Sequence, residues 1–190
     1  MKKLAIIILP LCLISCIETV AVAGLGSAYL VTRNKPVKDS FKDTKITAEI
    51  AQHINVFKNK FALRNISFNV YQGRVLLTGS SNDKKLLDKV VKDIWTIKGV
   101  KEVMNEIEIK TKPSRNILYD HLLASHIKTR LFLNEKIKSL DINVEVYDKK
   151  AYLIGNLTSD KEIRIAANIA ARVKGVKSVI SYLRKANNVS

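Results

Sequence analysis

The chain has 190 residues and a formal net charge of +16, from 33 Lys+Arg against 17 Asp+Glu. That length allows one domain or two small ones, and 47% hydrophobic with 26% charged residues is close to the globular average and excludes wholesale disorder. Seven Gly and three Pro exclude collagen-like or Pro-rich material, and two Cys with three scattered His are too few for a disulfide scaffold or a zinc site of the usual ligand spacing.

The N-terminus reads Met1-Lys2-Lys3, an apolar run from Leu4 to Ile14, then Ser15-Cys16. A charged start and a run of this length match a secretory leader, and the run is shorter than the roughly 20 residues of a spanning helix. Leu13-Ile14-Ser15-Cys16 resembles the bacterial lipobox, in which a small residue precedes a cysteine thiol that receives diacylglycerol. This resemblance implies a leader over 1–15, lipidation at Cys16, and loss of Cys12 with the leader. In such lipoproteins an Asp after the Cys marks inner-membrane retention; Ile17 stands there instead, which points to the periplasmic face of the outer membrane. The alternative is an uncleaved anchor extended through Val20–Val31, although Glu18 and Arg33 bracket a weakly apolar, Gly-containing stretch. Residues 16–42 then form the lipidated N-terminus and a tether, with Gly24, Gly26 and Pro36 discouraging regular structure. Its apolar patch could lie against lipid or serve only as a spacer.

The remainder is one unit written twice. Asn65–Tyr71 is echoed by Asp141–Tyr147, Leu77-Thr78-Gly79 by Leu153-Ile154-Gly155, and Lys98-Gly99-Val100 by Lys174-Gly175-Val176, all at an offset of 76 (65 to 141). Ile50 and Ile54 pair with Ile127 and Leu131 at 77 (50 to 127). Two domains are expected, at 43–110 and 115–186, joined by a linker at 111–114 and followed by a tail at 187–190.

Each unit begins with a helix carrying Ile46, Ile50, Ile54 and Phe57, or Leu123, Ile127 and Leu131, at helical spacing. A strand follows with Ile66, Phe68 and Val70, or Ile142, Val144 and Val146, alternating onto one face. Gln72-Gly73 and Asp148-Lys149 read as turns into second strands at Val75–Thr78 and Ala151–Ile154. A second helix starts near Asp83 and near Ser159-Asp160-Lys161-Glu162, the latter a capping-box pattern. Its expected core stripe is Leu87, Val90, Val91 and Ile94 in one copy, and Ile163, Ala166, Ala167 and Ala170 in the other. Gly99 and Gly175 are read as helix stops, before last strands at Val103–Ile109 and Val179–Leu183. The fold class is therefore α+β: two tandem α-β-β-α-β units, each a small three-stranded sheet with both helices on one face. Cores of about 70 residues are small, so an interface between the copies would add needed burial.

The order strand, turn, strand ending in Gly, helix, Gly-Val-x-x-Val, strand resembles the BON domain. The residues carrying the likeness are Val70-Tyr71-Gln72-Gly73-Arg74-Val75-Leu76-Leu77-Thr78-Gly79 with Lys98–Val103, and Tyr152-Leu153-Ile154-Gly155 with Ala170–Val179. With the lipobox in front, the chain is similar to dual-BON outer-membrane lipoproteins. That implies a non-enzymatic protein that binds anionic phospholipid membrane and helps maintain the outer membrane. In proteins of this kind lipid is met by the first helix of the second domain, here about Ile117 to Leu133. By position, the phospholipid-binding residues would be Tyr119, Leu122, Ser125, His126, Lys128, Thr129 and Arg130, with Asp120 and His121 on the same outward face. No Trp occurs in that helix, and Tyr119 is the only aromatic near its start.

The positive charge suffices for attraction to anionic lipid, at about 1 kcal/mol per basic residue near the surface; the other reading is an ordinary solvated basic surface. Nucleic acid shares this charge signature but would require another compartment. Lys84, Lys85, Lys89 and Lys92 could form a second anionic-ligand patch or simply a polar helix face. Trp95, at the edge of its stripe, is expected at a buried edge or an interface with the second domain, the alternative being a ligand platform. His53, His121 and His126 titrate near neutrality, but His121 and His126, five apart, do not share a helix face. No catalytic constellation, phosphate loop, cofactor motif, metal site or small-molecule substrate site is evident, and Gly73, Gly79, Gly99, Gly155 and Gly175 read as backbone devices. The other functional reading is an adaptor docking on an envelope protein partner, with lipid contact incidental.

Overall fold

The computed structural model describes residues 37–58, 65–111, 116–137 and 141–186; the expected leader over 1–15, Cys16, residues 17–36, residues 112–114 of the expected linker and the tail at 187–190 lie outside these. The elements are α1 (Val37–Lys58), β1 (Asn65–Tyr71), β2 (Arg74–Ser81), α2 (Lys84–Thr96), β3 (Glu102–Ile109), α3 (Ile117–Phe132), β4 (Ile142–Tyr147), β5 (Lys150–Leu157), α4 (Asp160–Ala171) and β6 (Ser178–Lys185). This is α-β-β-α-β twice. Each sheet is an antiparallel hairpin whose second strand also pairs in parallel with the last strand, in the orders β1-β2-β3 and β4-β5-β6. Because α1 starts at Val37, residues 37–42, read from the sequence as tether, are helical.

Local chemistry accounts for the elements. Ile46, Ile50 and Ile54 are buried on one stripe of α1, as are Leu123, Ile127 and Leu131 on α3; the Phe57 side chain lies outside the described residues. In α2 the Asp83 carboxylate caps the N-terminus by accepting from Leu86 N–H at 2.9 Å. The buried stripe is Leu86, Leu87, Val90 and Ile94, so Leu86 replaces the half-buried Val91. In α4, Ala166 and Ala170 are buried while Ile163 and Ala167 are only partly covered. Ser159 Oγ accepts from Glu162 N–H there, but the Glu162 carboxylate accepts from the N–H and hydroxyl of Thr158 rather than closing a capping box on Ser159. Gly99 and Gly175 do not stop the helices. These end at Thr96 and Ala171 with caps Ile97 and Arg172, and the glycines lie in the tight turns that follow, closed by Val100 N–H to Ile97 O and Val176 N–H to Val173 O.

Both hairpins turn through two left-handed residues, Gln72 and Gly73 (φ 53° and 80°) and Asp148 and Lys149 (φ 48° and 64°), the geometry of a two-residue type I′ loop. Three of these four residues carry a Cβ and are disfavoured there. A buried carboxylate offsets the cost. Asp43 accepts from Gln72 N–H at 2.6 Å and Gly73 N–H at 2.8 Å, and Asp120 accepts from Asp148 N–H at 2.9 Å and Lys149 N–H at 3.0 Å. The first helix of each domain is thereby stapled to its own hairpin. At the other end of each hairpin the strands approach so closely that a Cβ on Gly79 would lie 2.1 Å from Asn65 O, and on Gly155 1.8 Å from Asp141 O.

The strand periodicity of two then sorts the sheet faces. Val75 and Leu77 of β2, with Val103 and Ile107 of β3, pack under α1 and α2; Ala151, Leu153 and Leu183 pack under α3 and α4. The opposite faces meet each other: Tyr71, Leu76 and Met104 join Tyr147, Tyr152 and Ile154 in one shared core. The order is helices, sheet, sheet, helices, and all eight residues of β2 are buried as a result. Polar groups ring this interface. Arg74 Nη2 donates to Tyr182 O at 2.9 Å, Asn143 Nδ2 to Asn69 Oδ1 at 2.9 Å, Asn156 Nδ2 to Gln72 Oε1 at 2.8 Å, and Arg184 Nη2 to Glu102 Oε1 at 2.9 Å. Lys150 pairs with Glu108, and the Tyr182 hydroxyl donates to Glu106.

Two outcomes follow from this geometry. Asp120→Ala is expected to lower stability by about 3 kcal/mol, since it removes two charge-assisted bonds and strands two turn N–H groups; a urea midpoint followed by circular dichroism checks it. Burial first, then the bond to Glu106, pushes the Tyr182 hydroxyl up to about 12, against about 10 in an unfolded chain. The folded state therefore holds this proton longer, so its contribution is intact below about pH 10 and is lost as pH rises towards 12. Urea midpoints measured from pH 8 to 11.5 should fall across that window, and less steeply in Tyr182→Phe.

Candidate functional site

Most of the sequence-derived candidates lie on α3, whose inward side is fixed by Leu123, Ile127, Leu131 and Asp120. Asp120 is 2% exposed and holds the β4–β5 turn, which corrects its placement on the outward face. Tyr119 also turns inward. It packs against the core of the second domain, Lys149 Nζ sits over its ring at 5.4 Å, and a Cβ at Gly175 would fall 2.1 Å from its hydroxyl. Leu122, Ser125 and Thr129 are exposed on the side away from the sheet. Lys128 and His121 are exposed along one flank, His126 and Arg130 along the other, with Arg130 Nη1 donating to Arg172 O at 3.5 Å.

Four residues that sequence reasoning missed complete this surface. Ile117 (53%), Leu118 (71%), Phe132 (68%) and Leu133 (72%) are exposed, alongside Leu122 at 50%. Leu118, Leu122, Ser125, Thr129 and Phe132 fall at spacings of four, three, four and three, a second stripe opposite the core stripe. Spacing alone could have revealed it. At the equivalent positions of α1 stand Phe41, Lys45, Ala48, Gln52 and Asn55 (41 to 118, 55 to 132). Of these only Phe41, 72% exposed, is a large apolar residue. The same structural setting therefore accepts polar side chains, and packing within the domain does not require the apolar residues of α3.

Trp95 is 50% exposed on α2, neither at a buried edge nor at the domain interface. One residue beyond the buried Ile94 turns it by about 100° from the core, and the interface lies on the far side of the sheet. Lys84, Lys85, Lys89 and Lys92 are exposed on the same helix, with Lys84 Nζ bonded to Asp88 at 2.9 Å. His53 is half-buried on α1. Among the described residues, no cluster of His, Cys, Asp or Glu could hold a metal ion, and no helix is long and apolar enough to cross a membrane.

Two α-β-β-α-β units with these turns define the class: the chain belongs to the BON-domain family, which it matches at residues 42–111 and again at 119–186. It is similar over nearly its whole length to the outer membrane lipoprotein DolP of Haemophilus influenzae, at 27% identity over 186 residues covering 97% of this chain and 96% of that one. An uncharacterized protein in the gshII 5′ region of Anaplasma centrale is 37% identical over 144 residues, 74% of this chain and 89% of its own. Osmotically-inducible protein Y of Escherichia coli is 26% identical over 149 residues, 77% and 72% of the two chains.

The contact between Tyr119 and Gly175 has a consequence for stability. Gly175 adopts φ +104° with the phenol against it, so Gly175→Ala is expected to cost more than about 1 kcal/mol. Thermal denaturation of the variant, with and without Tyr119→Phe, measures it.

Proposed function

We propose that this chain is a non-enzymatic lipoprotein of the periplasmic face of the outer membrane, acylated at Cys16, that seats the outer face of α3 on anionic phospholipid and supports outer-membrane integrity. The observation that carries the reading is the exposed apolar stripe of α3, Leu118, Leu122 and Phe132, bordered by Lys128, His121, His126 and Arg130. An apolar ridge between basic flanks suits an anionic interface: the ridge enters the headgroup boundary while the cations meet phosphate. Phe132 and Leu118, near opposite ends of the helix, supply the apolar anchors that a helix without Trp otherwise lacks. Without Lys2 and Lys3 of the leader, the chain keeps a formal charge of about +14 (31 Lys+Arg against 17 Asp+Glu), which adds attraction at about 1 kcal/mol per basic residue close to the surface. Each contact is modest, but an acyl anchor keeps the domain near the bilayer, where weak contacts act at high effective concentration. The near full-length likeness to a protein named as an outer membrane lipoprotein agrees with this location.

Co-sedimentation of residues 17–190 with vesicles tests the reading without the anchor. Binding is expected to vesicles containing phosphatidylglycerol or cardiolipin, not to neutral ones, and to weaken with salt. Leu122→Asp and Lys128→Glu/Arg130→Glu should each reduce it at least tenfold with the circular dichroism spectrum unchanged. Equal binding to neutral vesicles, or full retention by both variants, would remove α3 as the lipid site.

A further inference from the structure

The layer order places the outer face of α2 opposite that of α3. Each pair of helices covers the sheet face turned away from the other domain. The two outer faces are thus separated by the thickness of two helix layers and two sheets, on the order of 40 Å. A molecule seated on a bilayer through α3 turns α2 away from that bilayer.

The outer face of α2 carries an unusual combination. Trp95 is half exposed, and Lys85 and Lys92 are exposed on the same side of the helix, seven residues or about 10 Å apart along the axis. Asp88 lies on the same side and is taken up by Lys84 Nζ at 2.9 Å. At the matching positions of α4 stand Ala171 for Trp95, Asp160 for Lys84, Lys161 for Lys85, Arg164 for Asp88, Ile165 for Lys89 and Asn168 for Lys92 (95 to 171, 84 to 160). The α4 helix folds in the same setting without the aromatic and with two Lys/Arg and two Asp/Glu, against four lysines and two aspartates on α2, so packing within the domain does not demand the α2 pattern. A large flat aromatic edged by cations is the composition of an interaction anchor for an acidic surface: the ring supplies desolvated area and the lysines supply charge complementarity.

We propose that this face of α2 is a docking surface for an acidic polypeptide segment of an envelope protein, presented away from the lipid. It rests on the reading that α3 seats on the bilayer, because that seating keeps Trp95 off the same leaflet. The protein would then bridge an anionic membrane on one helical layer to an acidic protein on the other.

Trp95 is the chain's one tryptophan and makes the test direct. The full lipidated chain is reconstituted on phosphatidylglycerol vesicles with bromine on the acyl chains, and poly-L-glutamate is added outside as the acidic polypeptide probe. Bromine should leave Trp95 emission unchanged, whereas poly-L-glutamate should shift it saturably. Lys85→Glu/Lys92→Glu should weaken the poly-L-glutamate response at least tenfold without altering vesicle binding. Quenching of Trp95 by bromine would assign α2 to lipid and overturn the proposal, as would an absent response to poly-L-glutamate or an unchanged one in the double variant. A separate reporter, Leu122→Trp in a Trp95→Phe background, isolates the underlying reading: if bromine fails to quench it, the seating of α3 is wrong, whatever Trp95 does.

Discussion

The face-to-face packing of the two sheets is the constraint on which the rest of the molecule depends. A three-stranded sheet has two faces, and two short helices cover only one. Leu76 and Met104 in the first domain, with Tyr152 and Ile154 in the second, would be exposed apolar surface on isolated units; together they form one buried cluster. Glu106 and Tyr182, at equivalent positions of the two copies (106 to 182), bond to each other across this contact. Duplication thus supplies within one chain what a small domain would otherwise obtain from a second copy, and it forces the helices onto opposite outer surfaces.

The buried carboxylates convert that architecture into a defined surface. Asp43 and Asp120 each grip two N–H groups of a left-handed turn. Lys101 and Lys177 N–H close the same turns onto the third strands through Gly73 O and Lys149 O at 2.8 Å. Helix, hairpin and last strand therefore meet at one point in each domain. For α3 this anchors its first turn, and Leu123, Ile127 and Leu131 fix the remaining rotation. Once those four residues point inward, helical geometry leaves Leu118, Leu122 and Phe132 no position but outward.

The duplication and the strands were legible because their signals are local: alternation in Ile66, Phe68 and Val70, glycines at constant offset, and a turn before each second strand. The roles of Asp120 and Tyr119 were not. Asp120 stands three residues before Leu123, on the core side of the helix, but a carboxylate there reads as polar surface until its partners at 148 and 149 are known. Tyr119 sits on the flank, with its partner at 175 brought close only by the folded sheet. The second stripe of α3 escaped for a different reason. The match of Ile127 and Leu131 to Ile50 and Ile54 already accounts for the core side of α3, so the further apolar residues at helical spacing pass as isolated surface positions until their exposure is seen. Trp95 illustrates the converse error: a large aromatic beside a core stripe invites burial, yet the face that would have covered it is on the other side of the sheet.

The two copies also serve as controls for each other. A residue demanded by the fold should recur at its equivalent position, and four buried ones do: Ile46 with Leu123, Ile50 with Ile127, Ile54 with Leu131, Tyr71 with Tyr147. The outer faces break this rule in opposite senses. On the first helices, Leu122 and Phe132 stand where the first domain has Lys45 and Asn55; on the second helices, Trp95 and Lys92 stand where the second domain has Ala171 and Asn168. Exposed apolar and aromatic groups bring no folding benefit at these sites, since their counterparts do without them. The fold therefore leaves these outer positions to be explained by contacts beyond the chain, and the layer order points those contacts in opposite directions.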